Sequence, residues 1–179
     1  MKISRGKEII KKFIATAMGV VVLLTSNLAV SALTSDQVEL SVTKPGAGYV
    51  ATTSSSLRVR AEANTSSTVL AALPSGSMIM IVERCGDFYK VQYDIYGHYG
   101  YVADQYIREY DLECYRVVKT SGSTLNVRAD RDSTSTKVAT IPNGRAVPVL
   151  NRSTTWDYIL YGNVSGYVLN QYTELEYYE

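Results

Sequence analysis

The chain has 179 residues with 18 Lys plus Arg against 17 Asp plus Glu, a formal net charge of +1 and 46% apolar residues. Its charges are interspersed and form no long basic run, which argues against nucleic acid as a partner, because that binding rests on clustered Lys and Arg. Two cysteines and one histidine supply three donors in all, one fewer than a structural zinc site needs, and no metal or other cofactor is expected.

The N-terminus carries Lys2, Arg5, Lys7, Lys11 and Lys12, followed by an apolar run from Phe13 to Leu24 and small residues at Ala29, Ser31 and Ala32. Charged, apolar and small segments in that order predict a secretory signal peptide over residues 1–32, cleaved after Ala32. The alternative is an uncleaved anchor. The apolar run is short for a bilayer about 30 Å thick and is broken by Thr25-Ser26-Asn27, so no stable membrane span is expected after cleavage. Removing these residues, which include Glu8, would move the net charge from +1 to −3. Residues 33–47 read as a flexible leader ending in Pro45-Gly46-Ala47-Gly48, a turn or linker signal.

From there the chain repeats itself. Leu57-Arg58-Val59-Arg60-Ala61 returns 68 residues later as Leu125-Asn126-Val127-Arg128-Ala129, and Pro74, Gly76, Arg84 and Tyr93 return at the same offset. After one loop the offset falls to 66, so that Gly100-Tyr101-Val102 returns as Gly166-Tyr167-Val168 and Gln105-Tyr106 as Gln171-Tyr172. A loop accepts such a length change cheaply, and the pattern indicates one unit of roughly 60 residues used twice.

Within the first unit, strands are expected at Tyr49–Thr52, Leu57–Arg60, Val69–Leu73, Met78–Val82, Phe88–Tyr93 and Gly100–Ala103, separated by polar or Pro/Gly turns. Leu57 and Val59 alternate with Arg58 and Arg60, the period-two pattern of a strand with one buried face. The second unit reads alike, from Val117-Val118 through Leu125 and Val127, Val138–Ile141, Val147–Leu150 and Trp156–Tyr161 to Tyr167-Val168. Pro148 interrupts the fourth of these, so that strand is expected either at an edge or with its N–H position facing outward. The fold class is all-β, two tandem small β-barrels. The domains are placed at residues 48–109 and 115–176, joined by a linker at 110–114 short enough to keep the barrels close.

These motifs carry a resemblance. Leu57-Arg58-Val59-Arg60 and Leu125-Asn126-Val127-Arg128 resemble the Leu-Asn-Val-Arg signature of bacterial SH3 (SH3b) domains. A Ser/Thr-rich loop, a Pro/Gly turn, an aromatic three residues before an aliphatic (Phe88 with Val91, Trp156 with Ile159) and Gly-Tyr-Val follow in the family's order. The resemblance spans about residues 48–176. It implies SH3-like barrels that bind peptides or cell-wall material outside the bacterial membrane, in a family whose members are often attached to peptidoglycan hydrolases. Arg58 replaces the signature's Asn, which is expected to remove a side-chain-to-backbone hydrogen bond from that turn.

The function expected from this is non-catalytic recognition of peptidoglycan or a cell-surface peptide by a secreted, extracellular or wall-associated protein, with a wall hydrolase on a separate chain as a second partner. The alternative is a secreted adaptor that uses the same grooves for a protein. No enzymatic activity is expected: His98 lies in a loop beside Gly97, and a Cys–His pair is less favoured than a structural cysteine pair. Two cysteines in an exported chain suggest a disulfide between Cys85 and Cys114, two free thiols being the alternative. The 15 tyrosines are the informative residues, since each offers an apolar body and a polar tip suited to a half-wet groove. The candidate ligand-binding residues are Arg58, Phe88, Tyr89, Tyr96, Tyr99 and Tyr101 in the first unit and Trp156, Tyr158 and Tyr167 in the second. Arg58, on the outward face of its strand, is placed to meet a carboxylate on a wall peptide. Tyrosines shared by both units are weighted towards structure. Tyr89, Tyr96 and Tyr99, which have no aromatic counterpart, are weighted towards ligand.

Overall fold

The computed structural model describes residues 44–179 apart from Ser54. Residues 1–32, where a signal peptide is expected, and most of the expected leader lie outside the described residues, among which no helix is long and apolar enough to cross a membrane.

The first unit contains β1 (Gly46–Val50), β2 (Leu57–Arg60), β3 (Val69–Leu73), β4 (Met78–Cys85), β5 (Phe88–Gln92), β6 (Tyr99–Ala103) and β7 (Ile107–Glu109), with a 3-10 turn at Asp104–Tyr106. The second contains β8 (Cys114–Val118), β9 (Leu125–Arg128), β10 (Lys137–Ile141), β11 (Ala146–Asn151), β12 (Trp156–Tyr161), β13 (Val164–Leu169) and β14 (Thr173–Tyr177), with a 3-10 turn at Asn170–Tyr172. The strand orders, β3-β2-β6-β5-β4-β1-β7 and β10-β9-β13-β12-β11-β8-β14, are the same order written twice. The chain is therefore two barrels of one topology.

Two devices recur in both barrels and explain the repeated motifs. The ladder between β4 and β5 slips between Ile81 and Glu83, and that between β11 and β12 slips at the equivalent Val149 and Asn151. Such bulges bend a strand, letting β4 bond β1 with one end and β5 with the other. The glycine of Gly-Tyr-Val answers to close packing. A Cβ on Gly100 would overlap Val59 Cγ1 and lie 2.9 Å from the Arg60 carbonyl oxygen. On Gly166 it would meet Val127 Cγ1 at 2.6 Å and the Arg128 carbonyl oxygen at 2.7 Å.

Barrel one closes on Val50, Leu57, Val59, Ile79, Ile81, Val91 and Val102, and barrel two on Val118, Leu125, Val127, Ile141, Val147, Ile159 and Val168. The core of barrel two also takes in Ala47 and Met80 of barrel one, with Met78 and Ile95 packed alongside. The barrels are thus held by a continuous apolar seam, reinforced by a hydrogen bond from the Met80 N–H to the Gly162 carbonyl (2.9 Å). Pro148 occupies the position equivalent to Met80 and has no N–H to give. It lies in an interior strand, where β11 passes from pairing with β8 at Pro148 to pairing with β12 at Val149.

Three expectations need correction. Pro45–Gly48 is no linker: Gly46–Val50 is a strand between β4 and β7, and Pro45, Ala47 and Gly48 are buried in the seam and sheet. The linker is likewise one residue shorter, because Cys114 opens β8. The disulfide is absent, both cysteines being free. Cys85 ends β4 opposite Phe88 in the sheet of barrel one, whereas Cys114 lies opposite Tyr177 in the sheet of barrel two, with its side chain in the seam. Burial pushes the Cys114 thiol above its ordinary pKa. A thiol-specific reagent is therefore expected to modify Cys85 alone in the native protein and both cysteines in denaturant without prior reduction. A pair that reacts only after reduction would restore the disulfide.

Candidate functional site

Each barrel carries a groove, and the two grooves use equivalent residues. In barrel one it encloses about 550 Å³ between Ala51, Thr52, Thr53, Ser55 and Ser56, strand β2, the tip of the following loop at Thr65, and Phe88, Ala103, Gln105 and Tyr106. In barrel two it encloses about 510 Å³ between residues 119–124, strand β9, Ser133, and Trp156, Leu169 and Tyr172. Apart from Gln105, every lining residue of one groove has its repeat partner lining the other.

The walls are built locally. On one side Thr52 Oγ1 donates to the Ser55 carbonyl, and Thr120 Oγ1 to the Ser123 carbonyl, closing the same turn twice. On the other, the Asn64 carboxamide oxygen accepts the Ser66 N–H at 3.0 Å and the Asp132 carboxylate accepts the Thr134 N–H at 2.7 Å, tightening the two loop tips. Hydrogen bonds from the Thr134 N–H and then from its hydroxyl hold the Asp132 carboxyl below its usual pKa. Each loop is tied to its strand by arginine: Arg60 Nη1 donates to the Ser67 carbonyl (2.8 Å) and Arg128 Nη1 to the Ser135 carbonyl (2.7 Å). The arginine of the signature, not its Asn, makes the side-chain-to-backbone bond. Asn126 makes no side-chain hydrogen bond among the described residues, so Arg58 costs barrel one nothing in that turn.

The floor is aromatic. Phe88 and Trp156 are half-buried, and Tyr106 and Tyr172 are 41% and 42% exposed. One register step along the same outward face lie Tyr101, cross-strand from Lys90, and Tyr167, cross-strand from Tyr158. The Tyr158 and Tyr167 rings are 4.9 Å apart, with the Arg131 guanidinium 5.3 Å from the Tyr167 centroid. Arg58, Phe88 and Trp156 thus line the grooves, and Tyr101, Tyr158 and Tyr167 extend the aromatic face beside them.

The remaining candidates lie elsewhere. Tyr99 packs between Lys90 and Arg145 of barrel two, each 5.8 Å from its ring centroid, and so serves the junction. Tyr96, 80% exposed, projects from the 94–98 loop. In that loop His98 Nδ1 meets Asp94 Oδ2 at 2.6 Å. Burial acts to raise the Asp94 pKa, but hydrogen bonds from the His98 side chain and from the His98 and Tyr96 N–H groups outweigh it and hold the carboxyl below its usual value. The His98 ring is thus hydrogen-bonded to Asp94, and neither cysteine is among its hydrogen-bond partners.

Tyr89 does not belong in the site. It is 5% exposed, accepts a hydrogen bond from Arg84 Nη1 (2.8 Å) and donates one to Glu109. Burial first, then the bond to Glu109, raises its pKa. Its repeat partner Asp157 is also buried and paired, with Arg116 Nε at 2.8 Å. The position is a buried polar clasp in both barrels, and only its chemistry differs. Two groove aromatics that sequence reasoning weights towards structure are Tyr106 and Tyr172. Their recurrence within Gln-Tyr marks a structural position, but a 3-10 turn holds both side chains out of the core.

A family model described as bacterial SH3 domain matches residues 55–108 and 123–174. YrvJ of Bacillus subtilis, a protein named as an N-acetylmuramoyl-L-alanine amidase, is 26% identical over an alignment 136 residues long that covers 69% of this chain and 26% of that protein. The chain thus spans about a quarter of the length of this curated relative. Among solved structures, it is similar to NlpC2 of Trichomonas vaginalis (14% identity, TM-score 0.37, covering 76% of this chain and 49% of that one). It is also similar to NlpC1 of the same organism (16% identity, TM-score 0.38, covering 78% and 48%).

Proposed function

The chain belongs to the bacterial SH3 domain family, with one such domain in each barrel, and from that premise we propose that it binds the bacterial cell wall, taking short peptide or sugar units of peptidoglycan into its two grooves. The observation that carries this reading is the duplication of the groove itself. Two copies with only partial identity keep the same aromatic floor, Phe88 with Tyr106 and Trp156 with Tyr172, between the same hydroxyl-rich walls. Half-exposed aromatics beside convergent polar groups suit a ligand with alternating apolar and polar parts. The name of the Bacillus subtilis relative supports a wall setting. It leads us to place the protein outside the cell, at the wall, where it would work with a hydrolase supplied by another chain.

A polymeric wall offers many sites, and a rigid pair of weak grooves gains avidity without new contacts. Trp156→Ala is expected to lower co-sedimentation with purified sacculi by about tenfold, and Phe88→Ala with Trp156→Ala together to abolish it, at a salt concentration that screens non-specific charge. Wild-type retention by the double variant would move the site elsewhere. Failure of the parent chain to sediment, with retention of one protein from culture supernatant, would favour the adaptor reading.

A further inference from the structure

The two grooves are alike in floor and walls but not in charge. Groove one is lined by Arg58 and Arg60, groove two by Lys119 and Arg128, and neither is lined by an Asp or Glu among the described residues. Arg60 and Arg128 are equivalent and each is partly engaged by a loop carbonyl. The other two cations differ. Lys119 already faces Glu174, with Nζ to Oε2 at 3.2 Å. Arg58 is exposed and has no hydrogen-bond or ion-pair partner among the described residues, and its repeat partner is the neutral Asn126.

Arg58 also stands two residues from Arg60 on the same outward face of β2, while Leu57 and Val59 point inward. Residues so placed are roughly 6.6 Å apart along a strand, and like charges that close repel. Nothing among the lining residues relieves the repulsion. A planar anion would, because a guanidinium pairs with a carboxylate through two parallel N–H donors. Barrel two avoids the problem at the same position with Asn126 and balances Lys119 with Glu174.

We infer that the grooves read different parts of the ligand: groove one receives a free carboxylate on a short peptide through Arg58, and groove two receives an uncharged part against Trp156. This rests on the wall-binding reading and adds to it the chemistry that each groove selects. The peptide carboxylate is favoured over a polymer phosphate because Thr52, Thr53, Ser55 and Ser56 line the groove beside Arg58, offering hydroxyls to the amides of an adjoining peptide.

The test uses the full chain, purified sacculi and a fluorescent muramyl tetrapeptide in two forms, with its carboxylates free or amidated. The parent is expected to bind sacculi and to prefer the free acid by about tenfold. Arg58→Asn should abolish the preference, so that acid and amide bind alike. Adding Asn126→Arg to that variant should restore a preference for the acid, now in groove two. A parent that sediments with sacculi but binds both peptides equally overturns this inference alone, as does an Arg58→Asn variant that keeps the preference. Competition by a soluble phosphodiester polymer, lost on Arg58→Asn while peptide binding is unaffected, would reassign Arg58 to a polymer phosphate and overturn it too. A parent that binds neither sacculi nor either peptide overturns the wall-binding reading with it.

Discussion

Asp157→Ala is expected to destabilise barrel two by about 3–5 kcal/mol, the loss typical of breaking a buried ion pair from one side. Asp157 is fully buried. Its carboxylate accepts Arg116 Nε at 2.8 Å, the Ser153 N–H at 2.7 Å and Asn170 Nδ2 at 3.3 Å, while its own N–H donates to Asn170 Oδ1 at 3.0 Å. Removing the carboxylate leaves the Arg116 guanidinium, on a residue only 8% exposed, without its anion and a backbone N–H without an acceptor. The cost lies in the orphaned partners more than in the lost attraction. Arg116→Met combined with Asp157→Leu should therefore recover much of the stability that Asp157→Ala loses. Tyr89→Phe at the equivalent place in barrel one removes a hydroxyl but no charge and should cost about 1 kcal/mol. Trp156 is the only tryptophan in the chain and adjoins Asp157, so its fluorescence during urea unfolding reads barrel two directly. A loss below about 1 kcal/mol would mean that the pair is solvated and the clasp unimportant.

That clasp shows where sequence reading reaches and where it stops. The period-two alternation of Leu57 and Val59, or Leu125 and Val127, reports the burial of one strand face directly, so the strands and the duplication are legible. Gly100 and Gly166 are legible as a motif, although their reason, a strand crossing too close for a Cβ, is a tertiary fact. Position 89/157 is not legible. A tyrosine in one copy and an aspartate in the other look like a variable surface position, and only the three-dimensional partners Glu109 and Arg84, or Arg116 and Asn170, reveal a buried one. The reverse holds at Tyr106 and Tyr172, where recurrence points to core packing while the 3-10 turn presents both rings to solvent. Strand β1 is hidden for a local reason as well. Pro45-Gly46-Ala47-Gly48 has the composition of a linker, yet a Cβ on Gly48 would lie 2.8 Å from the Arg108 carbonyl oxygen, so the small residue there serves close strand pairing and not flexibility.

The seam between the barrels yields the other large effect. Gly162 has φ +62°, and a Cβ there would overlap the backbone carbonyl of Asp94 in barrel one. A carbonyl held in the 94–98 loop cannot swing aside as a side chain can. Gly162→Ala must therefore either push the barrels apart or distort both turns. Separation would forfeit the hydrogen bond from the Met80 N–H to the Gly162 carbonyl and expose Ala47 and Met80, which are buried against barrel two. Gly86 supplies the control, having the same φ of +62° with open space where a Cβ would stand. Gly86→Ala should cost only the left-handed backbone penalty of about 1–2 kcal/mol. Gly162→Ala should cost about 3 kcal/mol or more and split a single unfolding transition into two. Small-angle scattering would show the two barrels further apart in the variant than in the parent. Equal losses for the two alanine variants, with a single transition in both, would mean that the seam contributes nothing to coupling. In that event the avidity expected of a rigid pair would fall to that of two grooves on a flexible tether.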